Sequence, residues 1–554
     1  MNTRSTSSVC LAVLLFAASA PLLGQAKPAA PAPAVPNTTC AECHDVGAAL
    51  AKSAHASVAC ASCHAKHETY PHPEKQPKPV CRSCHEQTAN DYEQSEHAQQ
   101  MRRGNGMAPE CASCHGKVHE VTRALSPEFH KAVPETCGMC HDKVAEHFNK
   151  SVHGTAVAAG VTDAPVCSDC HGGHRILKKD NPKSTVFPGS VPDTCGHCHG
   201  DVRLARRYKL PGDRIRSFNE SFHGLALKSG NQSVADCASC HGYHDILPST
   251  DPKSTTHPRN LAKTCGACHP GAGSRFAIGA IHEVENPKTA WPVEWARIFY
   301  LLVIPGTVGF MLLHHAGDFI MKLTRMRFQG RDVPMQMLRP VTSHHERMYA
   351  LERMQHGALA ISFFVLAYTG FALHYPDSWW ASWFLHWEDK YPLRGTVHRT
   401  AGGVMVITSL AHVATLIFNR KLRDHWKELL PVAGDLREMV EGTLWRLGVR
   451  KQKPHQSSHS YIEKIEYWAL VWGTVVMAAT GALLWFNDWT MTIMPKMWID
   501  FARVIHFYEA VLATLAIIVW HWYSVIFDPD VYPMDPAWLT GYSPRPEDNS
   551  DHRG

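Results

Sequence analysis

Residues 221–269 decide how the chain is read. They hold SFHG (221–224), CASCHGYHDIL (237–247), DPKST (251–255) and TCGACH (264–269). Two Cys-x-x-Cys-His units stand there, Cys237/Cys240/His241 and Cys265/Cys268/His269. Such a unit is the attachment site of a c-type haem: two thiols bond to the haem vinyls and the adjacent histidine ligates the iron. A low-spin haem that carries electrons needs a second axial ligand, and His223 and His244 flank the first unit.

The pattern repeats. SVHG (151–154), CSDCHGGHRIL (167–177), NPKST (181–185) and TCGHCH (194–199) lie 70 residues earlier, with units Cys167/Cys170/His171 and Cys195/Cys198/His199. A fixed period means a duplicated structural unit. Looser copies precede it: Cys111/Cys114/His115 with Cys137/Cys140/His141, and Cys60/Cys63/His64 with Cys81/Cys84/His85. Cys40/Cys43/His44 opens the series and brings the total to nine.

These nine units consume 18 of the 19 cysteines; only Cys10 is left. Zinc or disulfide chemistry would leave the histidine beside each second cysteine unexplained. The net charge of +5 over 554 residues gives no reason to expect nucleic acid as a partner. All 16 tryptophans lie at Trp291 or later, so the chain has a His/Cys/Pro-rich half and an apolar, Trp-rich half. Residues 1–26 read as a secretory signal, with an uncleaved anchor as the rival reading. Residues 27–37 read as an Ala/Pro linker. Residues 38–290 then form an exported nonahaem domain, mainly α and loop-rich. Little apolar sequence is available there for a protein core, so the haems themselves are expected to be the core.

Eight second ligands fall out of the repeat: His55, His67, His97, His119, His153, His174, His223 and His244. For the ninth, His282 holds a place like the SxH histidines, and His130, His147, His197 and His257 compete with it.

Residues 291–530 read as a membrane domain with spans near 298–317, 354–376, 396–419, 467–487 and 505–527. The loop 321–353 carries seven Lys/Arg, and nine lie between Arg420 and Lys453; the other two loops are rich in Trp. With the haem domain in the periplasm and the chain in the inner membrane, this charge distribution obeys the positive-inside rule. Residues 531–554 form a short polar tail, expected in the cytoplasm.

Histidines recur near both ends of the spans, and imidazoles inside a bilayer invite a functional reading. His398 and His412 are fourteen residues apart, His506 and His521 fifteen. At 1.5 Å per residue these separations are about 21–23 Å, a spacing suited to two stacked haems. Two non-covalent b-type haems held by paired histidines follow. His398 and His506 serve the outer one; His521 with either His356 or His412 serves the inner one. The rival reading is a set of interfacial histidines hydrogen-bonded in a bundle. Glu509, one turn from His506, is a candidate proton acceptor or a partner for Arg503, and Arg399 a candidate contact for a haem propionate.

The segments RMQHGALAISFFVLAYTG (353–370), TVHRTAGGVMVITSLAHV (396–413), YWALVWGTVVMAATGALLWF (467–486) and VIHFYEAVLATLAIIVWHWY (504–523) resemble the core helices of a known family. It comprises the dihaem cytochrome b subunits of membrane formate dehydrogenases and nickel–iron hydrogenases. The resemblance implies His356, His398, His506 and His521 as ligands, a quinone site near the inner haem, and no role for His412. The family's spacing within the last helix is one residue shorter than here. A paired-motif multihaem region followed by such a cytochrome b resembles fused inner-membrane cytochromes of anaerobic and metal respiration. That resemblance implies a menaquinol oxidant that draws on the membrane quinone pool and delivers electrons to periplasmic c-type cytochromes. Two alternatives stay open: an electron-transfer subunit of a separate dehydrogenase or reductase, and a periplasmic terminal reductase with one five-coordinate haem.

A pyridine haemochrome assay on the purified protein checks the cofactor reading. The expected c-to-b ratio is nine to two; absence of b haem would defeat the membrane-histidine argument.

Overall fold

The structure, a computed structural model, describes residues 36–64, 71–72, 78–275, 282, 287–328, 346–381, 383, 393–450, 459–529 and 531–543. The expected signal segment lies outside them. All regular secondary structure among the described residues is helical. The chain divides into two compact units, 1–89 with 109–126, and 90–108 with 127–554.

In the second unit the repeated sequence becomes repeated geometry. The motif helices Cys167–His171 and Cys237–His241 each stop at a glycine, Gly172 and Gly242, with φ of 82° and 83°. That left-handed backbone is open to glycine without a Cβ clash. Ser151 and Ser221 are N-caps, their hydroxyls accepting from the Gly154 and Gly224 amides. Each cap places the following histidine, His153 or His223, in the first turn of a seven-residue helix, Val152–Ala158 or Phe222–Lys228. A Cβ at Gly154 or Gly224 would stand 2.1 Å from the carbonyl oxygen of Phe148 or Phe218, so the SxHG pattern requires its glycine. Thr185 and Thr255, the last residues of the two PKST stretches, donate to the Cys170 and Cys240 carbonyls, both at 2.6 Å. The apolar protein core here is small. Its main cluster is Val133, Val157, Ala164 and Val166, with Phe129 and Phe148 packed against it.

Five long helices follow, each with a stretch long and apolar enough to cross a membrane. They are α1 (Pro287–Phe328), α2 (Ala350–His374), α3 (Leu393–Phe418), α4 (Tyr461–Trp485) and α5 (Lys496–Ala516), the last running on as π-helix through Ile517–His521 and Tyr523–Phe527. All five expected spans coincide with these helices, and α1 extends well beyond 298–317 at both ends. α2 packs on α3, and α1 and α4 pack on α5. Lipid-type apolar exposure is high, as at Leu302 (71%), Ile361 (69%) and Trp472 (66%), which suits a bundle whose outer solvent is hydrocarbon. Residues 531–543 are not a free tail: the Gly541 carbonyl accepts from the Arg347 and Met348 amides ahead of α2.

Gly224→Ala is expected to destabilise the folded protein by about 1–3 kcal/mol through overpacking. Gly273→Ala, where nothing lies within 4 Å of the added Cβ, is expected to be near neutral. Thermal unfolding of the two variants side by side makes the comparison.

Candidate haem-binding sites

The motif histidines do not stand alone. In the first unit the ring centroids of His44 and His72 are 6.4 Å apart, His55 and His85 6.1 Å, His64 and His119 6.0 Å. In the second unit His97 and His141 are 6.3 Å apart, His153 and His199 6.2 Å, and His171 and His244 6.0 Å. His223 and His269 are 6.0 Å apart, and His241 and His282 6.3 Å. An iron between two imidazoles, with metal–nitrogen bonds of about 2 Å and about 1.1 Å from nitrogen to ring centre, sets the centroids about 6.2 Å apart. All eight pairs fit that spacing, and each joins one Cys-x-x-Cys-His histidine to one from elsewhere.

The pairing crosses the repeats. Each SxH histidine faces the motif after the one it precedes: His55 faces His85, His97 faces His141, His153 faces His199 and His223 faces His269. His119 and His244, which follow one motif, reach back to His64 and His171 of an earlier one. His67 lies outside the described residues. His174 belongs to the second unit and His115 to the first. His282, expected as the ninth ligand, faces His241 and meets the Ser217 hydroxyl at 2.9 Å. Its competitors are placed otherwise. His130 and His147 lie by Asp169 and Asp245, His197 is exposed, and His257 takes the Arg259 amide. His72 was not among the expected ligands. Its signal was PHP at 71–73, a histidine between two prolines that fix the backbone around it.

The second cysteine of six motifs is exposed: Cys43, Cys63, Cys84, Cys114, Cys140 and Cys268. Cys81 and Cys111 are exposed as well. The second cysteines Cys170, Cys198 and Cys240, all in the strict 70-residue repeat, are partly covered. Exposure is compatible with attachment, because a thiol must be accessible to react. These six cysteines therefore stay in the proposed attachment set as edge groups, not as core residues.

Electrostatics suit neutral ligands. Burial holds His153, His223 and His282 down at about 4, so each imidazole is uncharged at neutral pH. Burial pushes the Cys170 and Cys240 thiols up to about 11. An uncharged thioether costs little to bury where a thiolate would cost much. Cysteines of different motifs also lie side by side, within hydrogen-bond reach: Cys60 with Cys40, Cys111 with Cys81, Cys137 with Cys167 and Cys195 with Cys237.

The membrane bundle holds further pairs with the same spacing. His398 and His506 lie 6.3 Å apart at the end where the c-type motifs dock, and His356 and His521 lie 6.3 Å apart at the far end. His412 is held elsewhere, its Nδ1 3.2 Å from Gln355 Oε1 and its Nε2 3.2 Å from the Tyr467 hydroxyl. Residues 347–532, which contain all four paired histidines, match the family model described as Prokaryotic cytochrome b561. The match supports a b-type cytochrome for this part of the chain. No curated protein and no solved structure matches the chain.

Within this cytochrome b the ligand tautomers are set by their partners. Thr369 Oγ1 donates to the Val365 carbonyl and Thr480 Oγ1 to the Val476 carbonyl. Each hydroxyl therefore accepts from the histidine beside it, His398 Nδ1 at 2.8 Å and His506 Nδ1 at 2.9 Å. That leaves each Nε2 free to face a metal. The residue after each threonine is glycine; a Cβ at Gly370 or Gly481 would crowd the ligand ring at 3.4 or 3.3 Å. The Thr-Gly pair thus occurs twice for one reason, and it stands in the sequence of both helices. At the far end His521 Nδ1 has the Glu466 carboxylate at 3.3 Å, and His356 Nδ1 is buried without a partner. The π-helical segment explains the long spacing in α5. A π turn accommodates one extra residue, so fifteen residues from His506 return His521 to the face that fourteen would reach in α-helix.

The ninth motif docks on this cytochrome b. Ala272 and Met491 are buried together with Cys265 and Ile499 against them, and Asp488 lies 3.7 Å from His269 Nδ1. Arg503 donates to the Glu220 carbonyl at 2.7 Å, while Glu509 accepts from the Tyr300 hydroxyl at 2.8 Å. Arg399 turns to the Gly395 carbonyl, and Arg394 is the buried arginine of the pair. A cavity of about 570 Å³ lies at the same junction, with Arg216, Lys228, His374 and Tyr375 in its wall.

His72→Ala should convert one c haem from low-spin to high-spin and leave the others unchanged, read by paramagnetic resonance. His356→Leu should lose one b haem by haemochrome assay, and His412→Leu should keep both.

Proposed function

We propose that the protein oxidises a lipid-soluble hydroquinone, a menaquinol by the family resemblance, and passes the electrons through two b haems and nine covalent c haems to periplasmic c-type cytochromes. Bound haem supplies one-electron redox chemistry; the chain's own residues hold it, insulate it and set the route. His356 and His521 would carry the inner b haem, and His398 and His506 the outer one. From there the route leaves the membrane at the ninth motif, where His269 and His223 would carry the nearest c haem.

One observation carries the reading: the ninth motif is seated on the α4–α5 connection, at the same end of the bundle as His398 and His506. A chain built only to anchor a periplasmic cytochrome has no need of two further histidine pairs at opposite ends of α5. A quinone is the lipid-soluble redox partner such a path requires, and a quinone partner is in keeping with the family match over 347–532. With basic loops in the cytoplasm, the c-type motifs face the periplasm.

Anaerobic addition of menadiol to the purified protein tests this. Both b- and c-type bands are expected to reduce. In His398→Leu the c-type bands should stay oxidised with menadiol yet still reduce with dithionite. Reduction of the c haems in that variant at the wild-type rate would defeat the proposed route.

A further inference from the structure

The helix that the family match leaves out carries a cluster that the haem assignment does not use. α1 buries His314, His315 and Asp318 at the far end of the bundle, 9%, 6% and 7% exposed. His314 Nε2 lies 2.7 Å from the Tyr461 hydroxyl, to which Arg446 also donates at 2.9 Å. The two imidazoles meet Nδ1 to Nδ1 at 3.5 Å. Lys322 bridges Asp318 at 2.9 Å and Asp528 at 2.6 Å, and Tyr523 donates to Asp318. A row of ionisable groups inside a bilayer is expensive unless it serves a function.

The row has an open end. Among the described residues His315 Nε2 is buried with no hydrogen-bond partner, and so is Trp520 Nε1; their rings lie 4.6 Å apart. Trp520 is 3% exposed and directly precedes His521 in the π-helical segment. Two neighbouring buried polar edges without partners call for a ligand that supplies them. π-helical turns recur at functional sites for the same reason: they re-aim side chains. Phe310, 53% exposed, stacks on Trp520, packs tilted against His314 and lies on the side toward lipid.

We propose that His315 and Trp520 bind the oxygen of a lipid-soluble hydroquinone or quinone, and that His315, His314 and Tyr461 conduct its protons. The proposal rests on the quinol reading above and assigns its proton-accepting group to α1. Oxidation of one hydroquinone releases two electrons and two protons and leaves the quinone. His356 and His521 would hold the haem that accepts the two electrons, one at a time. Each proton leaves a hydroquinone hydroxyl for His315 Nε2. His315 Nδ1 gives up its proton to His314 Nδ1, His314 Nε2 gives one up to the Tyr461 oxygen, and the Tyr461 hydroxyl proton passes to solvent; both imidazoles return to their starting tautomers before the second proton enters.

The test uses the full-length haem-loaded protein and the variants His315→Gln and Trp520→Phe. Haem content and the dithionite-reduced spectrum serve as controls. Menadiol-driven b-haem reduction should fall about a hundredfold in His315→Gln, the scale of a lost general base. Binding of 2-heptyl-4-hydroxyquinoline N-oxide, read by its fluorescence quenching, should be largely kept there, because the glutamine carbonyl still offers a hydrogen-bond acceptor. In Trp520→Phe that binding should weaken about fivefold, the scale of one hydrogen bond. Wild-type rates and affinities in both variants would overturn the site while leaving the quinol reading intact. A shifted b-haem potential with an unchanged rate would assign His315 and Trp520 to a haem carboxylate and overturn it too. Failure of menadiol to reduce the wild-type protein would overturn the quinol reading, and this site with it. If His315→Gln loses b haem, the Trp520→Phe affinity decides.

Discussion

Two imidazole rings held about 6 Å apart, with room for one metal between them, form the unit on which the rest of the molecule depends. Eight such pairs involve Cys-x-x-Cys-His motifs and two lie in the membrane bundle. The surrounding structure is economical. Serine caps, a glycine without room for a Cβ, and a threonine bonded to a motif carbonyl hold rings in place where there is little apolar core to do so. In the membrane the same task falls to Thr369, Thr480 and Glu466, which fix ring orientation through Nδ1.

Much of this was legible in the chain. The nine motifs are local, five residues long, and need no tertiary information. The five spans are composition and length. The four membrane histidines followed from helical spacing and family resemblance together. Other features were not legible, each for a physical reason. The pairing of His55 with His85 rather than with its neighbouring motif is a long-range choice that a local repeat does not encode. His72 belongs to no copy of the repeat. Which motif thiols are covered is a matter of packing between motifs: Cys240 is partly covered and Cys268, in the next motif, is exposed, though both stand in the same local pattern. The fifteen-residue interval in α5 looks out of phase for an α-helix, and only the π turn, a local departure in hydrogen bonding, brings His521 back into register. The partner of His521 was open between His356 and His412; the structure sets His356 opposite it and gives His412 to Gln355 and Tyr467.

The membrane domain divides its labour between helices. α2, α3 and α5 supply the paired histidines, while α1, outside the family match, buries His314 and His315, the groups we propose as proton carriers. On that proposal electron and proton paths would meet at Trp520 and His521, adjacent residues on one π-helical turn. Separate elements for the two carriers would let the haem ligands stay neutral and fixed while protonation changes occur on other side chains.

The central claim is that paired imidazoles ligate every iron. Near-infrared magnetic circular dichroism of the oxidised protein tests it most directly, because the charge-transfer band position distinguishes bis-histidine from histidine–methionine ligation and high-spin iron lacks that band. The account predicts bis-histidine signal alone, with an intensity that matches the total haem content. A methionine-ligated or high-spin component in the intact protein would contradict it.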